Sequence, residues 1–242
     1  RMLGGSSSMN AMMYVRGHAA DFDRWRDLGN AGWGYEDVLA YFKRGERFLG
    51  PDPDRQFHGT EGPLLVGPQC SPSQLAYAFI EAGKQVGLAH NDDVNGAAQH
   101  GIGLAHVNQR NGRRWSAADA FLKPATGRGN LTVEVGCLVH RIEWAGRRAT
   151  GVVYSQGGVE RTADAAREVI LCAGSIGSPQ ILMLSGVGPG GALSQHGIGV
   201  VQDAPGVGRN LQDHLMLALT HRCLRPVTLA GAESLPSLAR YL

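Results

Sequence analysis

The stretch that most constrains the fold is residues 168–174, EVILCAG, followed by Ser178-Pro179. Four apolar residues closed by a glycine suit a strand buried on both faces. Ser178 as cap and Pro179 as first helical residue predict a helix over 180–185. Together they make a strand, a glycine turn and a helix. Such a turn also presents backbone N–H groups to a phosphate. The chain holds 35 glycines in 242 residues, roughly twice the usual share. With 43% of residues in AVILMFWYC, a disordered or purely solvating chain is excluded.

Elsewhere the apolar spacing changes between helical and strand-like. Phe22, Trp25 and Leu28 share a face and predict a helix over 15–28. Val38, Leu39, Phe42 and Phe48 predict another over 35–48, with Glu36 and Asp37 in its first turn, where the helix dipole favours acids. Ser73 caps a helix predicted to reach Val86, and Ser116 caps a short one over 117–122 that Pro124 ends. The runs 50–68 and 91–103 are rich in turn residues and read as irregular excursions. Strands are expected at 131–135, 138–144, 151–154 and 169–172, with Gly146, Gly157 and Gly158 between them, as one strand followed by a small meander.

Charge and chemistry narrow the function classes. Lys and Arg number 23 against 21 Asp and Glu, so no basic face suited to nucleic acid is implied. Cys70, Cys137, Cys172 and Cys223 lack any metal-ligand spacing and read as buried, reduced thiols of a cytoplasmic protein. No apolar run approaches the roughly 20 residues of a bilayer span, and residues 1–5 lack the pattern of an export signal. There is no G-x-S-x-G, no metal-binding histidine pair and no paired carboxylates of a glycosidase. The literal G-x-G-x-x-G at 186–191 follows a helix and contains Pro189, so it reads as a turn rather than a dinucleotide loop. Asp213-His214 reads equally as a turn held by side-chain hydrogen bonds or as a polar pair with chemistry. The opening LGGSSSMN, residues 3–10, has two glycines that allow close backbone approach to a ligand, and the bulky apolar run 9–15 is unlike a linker.

Several stretches, in order, resemble the glucose-methanol-choline (GMC) flavin oxidoreductases. Residues 3–10 with YVRG at 14–17 resemble the family's first signature, and 174–188, GSIGSPQILMLSGVG, its second. GWGYEDVL at 32–39, HGTEGP at 58–63, NLTV at 130–133 and PGVGRNLQDH at 205–214 match between and after them. YVRGH at 14–18 and GNAGW at 29–33 are most similar to choline and other alcohol dehydrogenases that use a non-NAD acceptor.

The resemblance implies an α/β, Rossmann-like FAD-binding domain over 1–219, with a mostly parallel sheet, a small antiparallel meander and an insertion at about 51–112. Residues 220–242 would begin a substrate-binding domain, and the chain would be an internal piece lacking the family's first βαβ unit. It implies FAD contacts at Leu3, Gly5, Ser6, Asn10, Ala11, Met12 and Met13, with Asn10 bonding the flavin. Val139 would pair with the adenine through its main chain, and Ala173-Gly174 would pass the adenosine. Met9 stands where some members carry the histidine that links FAD covalently, so FAD is expected to be non-covalent. The family's catalytic His pair would fall beyond Leu242, so no catalytic residue and no metal ligand is assigned. The implied activity is oxidation of the CH–OH group of choline or another primary alcohol, with electrons passed to a quinone or carrier. An O2-using oxidase, a hydroxynitrile lyase and a non-catalytic isolated fragment are the alternatives. The acceptor would also be the route to any peripheral attachment at the inner membrane.

Overall fold

The computed structural model describes residues 1–218, 220–225 and 228, which form two compact units. One comprises residues 1–131 with the described residues after 220, and the other residues 132–220. The segment read as the start of a substrate domain lies for the most part outside the described residues.

The first unit is built from a 3₁₀ turn Gly5–Ser8, helices α1 (Ala19–Asp27), α2 (Tyr35–Gly45) and α3 (Gln74–Gln85), and two short sheets. Strand β1 (Glu46–Phe48) runs parallel to β2 (Leu64–Val66), and β3 (Gln109–Arg110) forms a hairpin with β4 (Arg113–Arg114). Asn111 and Gly112 join β3 to β4 with φ of +52° and +73°, the two left-handed residues that a tight hairpin requires. Helix α1 starts at Ala19 rather than near Val15. His18 is extended there and caps it: Ala20 N–H donates to His18 Nδ1 and His18 N–H to Asp21 Oδ2. The aromatic residues of α1 and α2 meet as a cluster, with Phe22 5.4 Å from Trp25 and 5.7 Å from Phe42 between ring centroids. Helix α3 forms as expected, and Ser73 Oγ accepts from Leu75 N–H.

Three further expectations differ in this unit. The helix predicted over 35–48 stops at Gly45, because Glu46 turns extended and buries its carboxylate completely. The run 50–68 is not wholly irregular, since Leu64–Val66 pairs with the strand that Glu46 opens. Pro124 does not end the helical path after Ser116: a π-type turn Ala118–Leu122 leads into a 3₁₀ turn Lys123–Ala125 that contains it. At Gly59 and Gly62 the chain passes against the end of α2. An added Cβ would lie 1.8 Å from the Lys43 carbonyl oxygen at Gly59 and 2.3 Å from the Gly45 carbonyl carbon at Gly62. The HGTEGP motif is thus a close main-chain crossing that only glycine allows.

The second unit carries an antiparallel meander, β5 (Cys137–Ala145), β6 (Arg148–Gln156) and β7 (Val159–Asp164), with β6 central. Helix α4 (Gly174–Leu184) packs on β5. Ser185 Oγ accepts from Ile142 N–H at 2.8 Å, and the Ser185 carbonyl accepts from Trp144 Nε1–H at 2.8 Å. Strand β8 (Val187–Gly188), parallel to β9 (Gln202–Asp203), and helix α5 (Gly190–Gln195) follow.

Here too the sequence reading needs correction. Residues 131–135 and 169–172 form no strand, and the meander's third member is Val159–Asp164. Ile170 is 76% exposed, because an apolar run becomes a buried strand only when neighbours pair with it, and none does among the described residues. Helix α4 begins at Gly174, a turn before Ser178; the Ser178 hydroxyl lies inside it and accepts from Ala173 N–H at 3.0 Å. Cys70, Cys172 and Cys223 are exposed and Cys137 half-buried, so the thiols are free but not buried. Cys172 sits in the unpaired run and Cys70 in a proline-flanked loop. In the G-x-G-x-x-G stretch, Gly190 N–H at the start of α5 donates to Asp203 Oδ1 at 2.8 Å.

Candidate functional site

Residues 3–13 fold as a tight loop whose shape is set by backbone chirality and a few hydrogen bonds. Gly4 and Gly5 have φ of +86° and +57°. An added Cβ at Gly4 would stand 2.3 Å from Ser8 Oγ and 3.1 Å from Ala118 Cβ. Ser7 and Ser8 hydroxyls donate back to the carbonyls of Gly4 and Leu3, and Ser7 Oγ also accepts from Ala117 N–H at 2.9 Å. Ser116 and Asp119 hold that turn start by reciprocal hydrogen bonds. Lys123 and Ser116 keep the Asp119 carboxyl down at about 2. Met12 carries φ of +64°, a left-handed conformation uncommon outside glycine, and Asn10 Oδ1 accepts its N–H at 3.0 Å. Strain of this kind persists where surrounding structure fixes it, and it concentrates at functional loops.

Beyond Met12 the segment is stitched into the unit. Asn108 N–H donates to the Met12 carbonyl and Tyr14 N–H to that of His106. Arg16 N–H donates to Asn95 Oδ1, and Asn95 Nδ2 to the Tyr14 carbonyl. Burial pushes the Tyr14 phenol above its ordinary value. Arg16 then enters a buried ionic network. Its Nη2 donates to Glu46 Oε2 at 2.7 Å and its Nη1 to the Phe57 carbonyl at 2.8 Å. Glu46 also accepts from Gly59 N–H at 3.0 Å and faces His58 Nδ1 at 3.1 Å, while His58 Nε2 lies 2.7 Å from Asp93 Oδ2. Burial alone lowers the His58 pKa, but hydrogen bonds to Glu46 and Asp93 outweigh it and the net shift is upward. Two carboxylates facing two ring nitrogens suit an imidazolium, a donor at both. The neighbouring His106 is driven the other way by burial, and its Nδ1 has no hydrogen-bond partner, with Asp93 Oδ1 3.7 Å away. Phe48 packs between the two rings, its centroid 4.2 Å from His58 and 4.8 Å from His106.

The residues expected to meet FAD therefore divide between the units. Leu3, Gly5, Ser6, Asn10, Ala11, Met12 and Met13 lie together on the loop of the first unit. Ala11 and Met13 are exposed, and their N–H groups have no partner among the described residues; neither has Asn10 Nδ2. Three free donors on one short run fit a ligand that offers several acceptor atoms along an edge, as a flavin ring does. Met9, 72% exposed, offers only a thioether.

Val139 lies in the second unit on β5, opposite Tyr154 and beside a bulge at His140. Among the described residues β5 is an edge strand, so one side of its main chain is free to pair with a ligand. Ala173 caps α4, and Gly174 has φ of +83° with open space where a Cβ would stand. Asp213 and His214 are exposed and outside any turn or regular element, with His214 N–H donating to Asp213 Oδ1. No cluster able to hold a metal occurs among the described residues, and no described helix is long and apolar enough to cross a membrane.

Two features were missed from sequence. The Arg16–Glu46–His58–Asp93 network has no periodic signature, although His58 heads the HGTEGP motif. Arg114 was not singled out, yet its guanidinium grips the loop: Nη1 donates to Asn10 Oδ1 at 2.8 Å and to the Ser7 carbonyl at 3.0 Å, and Nη2 to the Asn10 carbonyl at 2.7 Å.

A family profile described as GMC oxidoreductase matches residues 1–216. The chain is 49% identical over 240 residues to an oxygen-dependent choline dehydrogenase of Brucella ovis, covering 99% of this chain and 43% of that protein. A Sinorhizobium fredii protein of the same name is 49% identical over 231 residues, covering 95% of this chain and 41% of that protein. Among solved structures, pyridoxine 4-oxidase from Mesorbium loti superposes with a TM-score of 0.75 at 38% identity, covering 83% of this chain and 39% of that one. An FAD-dependent oxidoreductase from Chaetomium thermophilum gives 0.78 at 30% identity, with 83% and 37% covered. The chain thus spans less than half the length of these relatives. With the glycine loop, the HGTEGP crossing and the meander followed by α4 described, and with the profile matched from Arg1 into the segment after β9, the chain belongs to the GMC oxidoreductase family.

Proposed function

We propose that this chain supplies the FAD-contacting part of an oxidoreductase acting on the CH–OH group of a primary alcohol such as choline. The observation that carries the reading is the run 10–13, where three free N–H donors stand on a loop held by Arg114. Leu3, Gly5 and Ser6 shape the approach to the pyrophosphate, and Asn10, Ala11, Met12 and Met13 face the flavin edge. Val139 meets the adenine through its main chain, and Ala173-Gly174 the adenosine. When bound, FAD supplies the hydride acceptor. Ala11 and Met13 N–H would donate to the acceptor edge of the flavin ring, as groups the loop already holds in place. The cofactor is non-covalent, because the thioether at Met9 cannot form the histidyl link.

In this reading the FAD domain extends over 1–219, with its insertion at about 51–112, and the substrate domain opens at 220–242. The base that takes the hydroxyl proton would be the histidine that the family resemblance places beyond Leu242; His58 and His106 are buried in the first unit. The protein is cytoplasmic, and an electron acceptor such as a quinone is what would bring it to the inner membrane. The names of the Brucella and Sinorhizobium relatives, "oxygen-dependent choline dehydrogenase", favour O2 as the second reading for the acceptor.

The test uses the product of the complete reading frame: record its flavin spectrum, then add choline or a primary alcohol without air. Loss of the oxidised-flavin band supports alcohol oxidation. Reoxidation by air or by an added quinone then distinguishes the acceptors. Flavin that binds but never bleaches favours a lyase or a substrate other than the alcohols added, and absence of flavin refutes the cofactor assignment.

A further inference from the structure

We infer that Arg114 is a positioning residue that locks the Asn10 amide in one orientation, so that Asn10 serves the flavin as a hydrogen-bond donor and not as an acceptor. The inference rests on the reading of residues 10–13 as the flavin contact, and it adds a role, a direction and a residue outside the loop.

Asn10 Oδ1 is approached by two donors, Met12 N–H at 3.0 Å and Arg114 Nη1 at 2.8 Å. Neither group can accept, so the flipped amide would set its NH2 against an N–H and a guanidinium. The orientation therefore follows from chemistry. With its oxygen engaged twice, the side chain has only Nδ2 and its two hydrogens left for a ligand, and these have no partner among the described residues. Arg114 also holds the Asn10 and Ser7 carbonyls at 2.7 and 3.0 Å, so the same planar group fixes both ends of the turn before Asn10. A bidentate fork of this kind is specific to arginine, since lysine offers a single point of donation.

Arg114 is itself well anchored. It lies in β4 of the Asn111-Gly112 hairpin and precedes Trp115, whose Nε1–H donates to the Pro63 carbonyl at 2.9 Å. An apolar hollow of about 490 Å³ adjoins the loop, with Gly4, Ala118 and Phe121 in its wall. The loop thus has a fixed rear attachment, while Asn10 Nδ2 and the Ala11 and Met13 N–H groups remain free to meet a ligand.

Asn10→Asp separates direction from shape. The carboxylate keeps an acceptor for Met12 N–H and strengthens the pair with Arg114, but it replaces the outward NH2 by an oxygen. In the product of the complete reading frame, freed of cofactor and titrated with FAD, N10D is expected to weaken FAD binding at least tenfold and to shift the visible flavin spectrum, with its melting temperature near wild type. R114A should weaken FAD binding at least tenfold, and R114K should recover part of that loss together with the native spectrum. Arg114 acting only on loop stability would move melting without moving the spectrum of bound flavin, and that result overturns the proposal. N10D that binds FAD within twofold of wild type with an unchanged spectrum also overturns it, even where R114A fails to fold. Flavin in the wild type with unaffected variants removes this inference and leaves the proposed function standing; a wild type that takes up no FAD removes both.

Discussion

Replacing Glu46 with Gln removes one negative charge from a place with no access to water, while the shape of the side chain stays nearly the same. Glu46 is 0% exposed and receives the Arg16 guanidinium at 2.7 Å, Gly59 N–H at 3.0 Å and His58 at 3.1 Å. A glutamine carries one acceptor oxygen in place of two, so its NH2 must face one of these donors. Arg16, 5% exposed, keeps its charge but faces only neutral acceptors, the amide oxygen and the Phe57 carbonyl. Breaking a buried ion pair from one side costs about 3–5 kcal/mol, mostly because the other charge stays buried. At about 2–4 °C per kcal/mol for a chain of this size, the melting temperature should fall by roughly 6–20 °C. Urea unfolding of the complete polypeptide, followed by far-UV circular dichroism, should show a lower midpoint with an unchanged slope. A double-mutant cycle with Arg16→Met should return a coupling of at least about 2 kcal/mol, because removing both charges leaves no orphan. A loss below about 1 kcal/mol for E46Q would refute the claim that this pair is dry and structural.

Three further outcomes follow from the geometry. Gly59→Ala would bring a methyl within 1.8 Å of the Lys43 carbonyl oxygen, so the main chain must move. A loss of about 3 kcal/mol or more, at the upper end for overpacking, is expected in the same unfolding assay. Ser185→Ala leaves the Ile142 N–H without its acceptor inside the second unit and should cost about 1–3 kcal/mol; an unchanged midpoint would mean that this contact contributes nothing. For pH, His58 has its folded pKa raised above 6.5, so its contribution is complete below the unfolded value and is lost as pH rises through the folded one. His106 has its folded pKa lowered, so stability declines as pH falls from about 6.5 toward that lower value. Unfolding midpoints should therefore peak near the ordinary histidine pKa, with His58→Gln flattening the alkaline side and His106→Gln the acid side; a pH-independent midpoint between 5 and 8 would contradict both assignments.

What the sequence disclosed depended on how local the cause was. Helix α3 was legible because its apolar spacing and the Ser73 cap lie within one stretch. The meander was legible in β5 and β6 because glycines bracket alternating residues, while β7, exposed on both faces, has no apolar alternation to find. Helix α2 was drawn too long because the pattern could not show that Glu46 leaves the helix to meet Arg16, 30 residues away in sequence, and His58, 12 away. At the loop, Asn10 and its glycines stood out, but Arg114 did not. Its value comes from a contact 104 residues apart, and the nearest clue was Asn111-Gly112, a hairpin signal that places the next residues on a strand.

Asp203, in β9, reaches the start of α5 with its carboxylate. Its carboxylate already takes the Gly190 N–H that a phosphate would seek at a glycine-rich helix start. Because it is tethered through the short pairing of β8 and β9, it acts at an effective concentration on the order of millimolar or above. With that N–H already satisfied, the stretch 186–191 does not offer it to a phosphate, although its glycines spell a nucleotide loop.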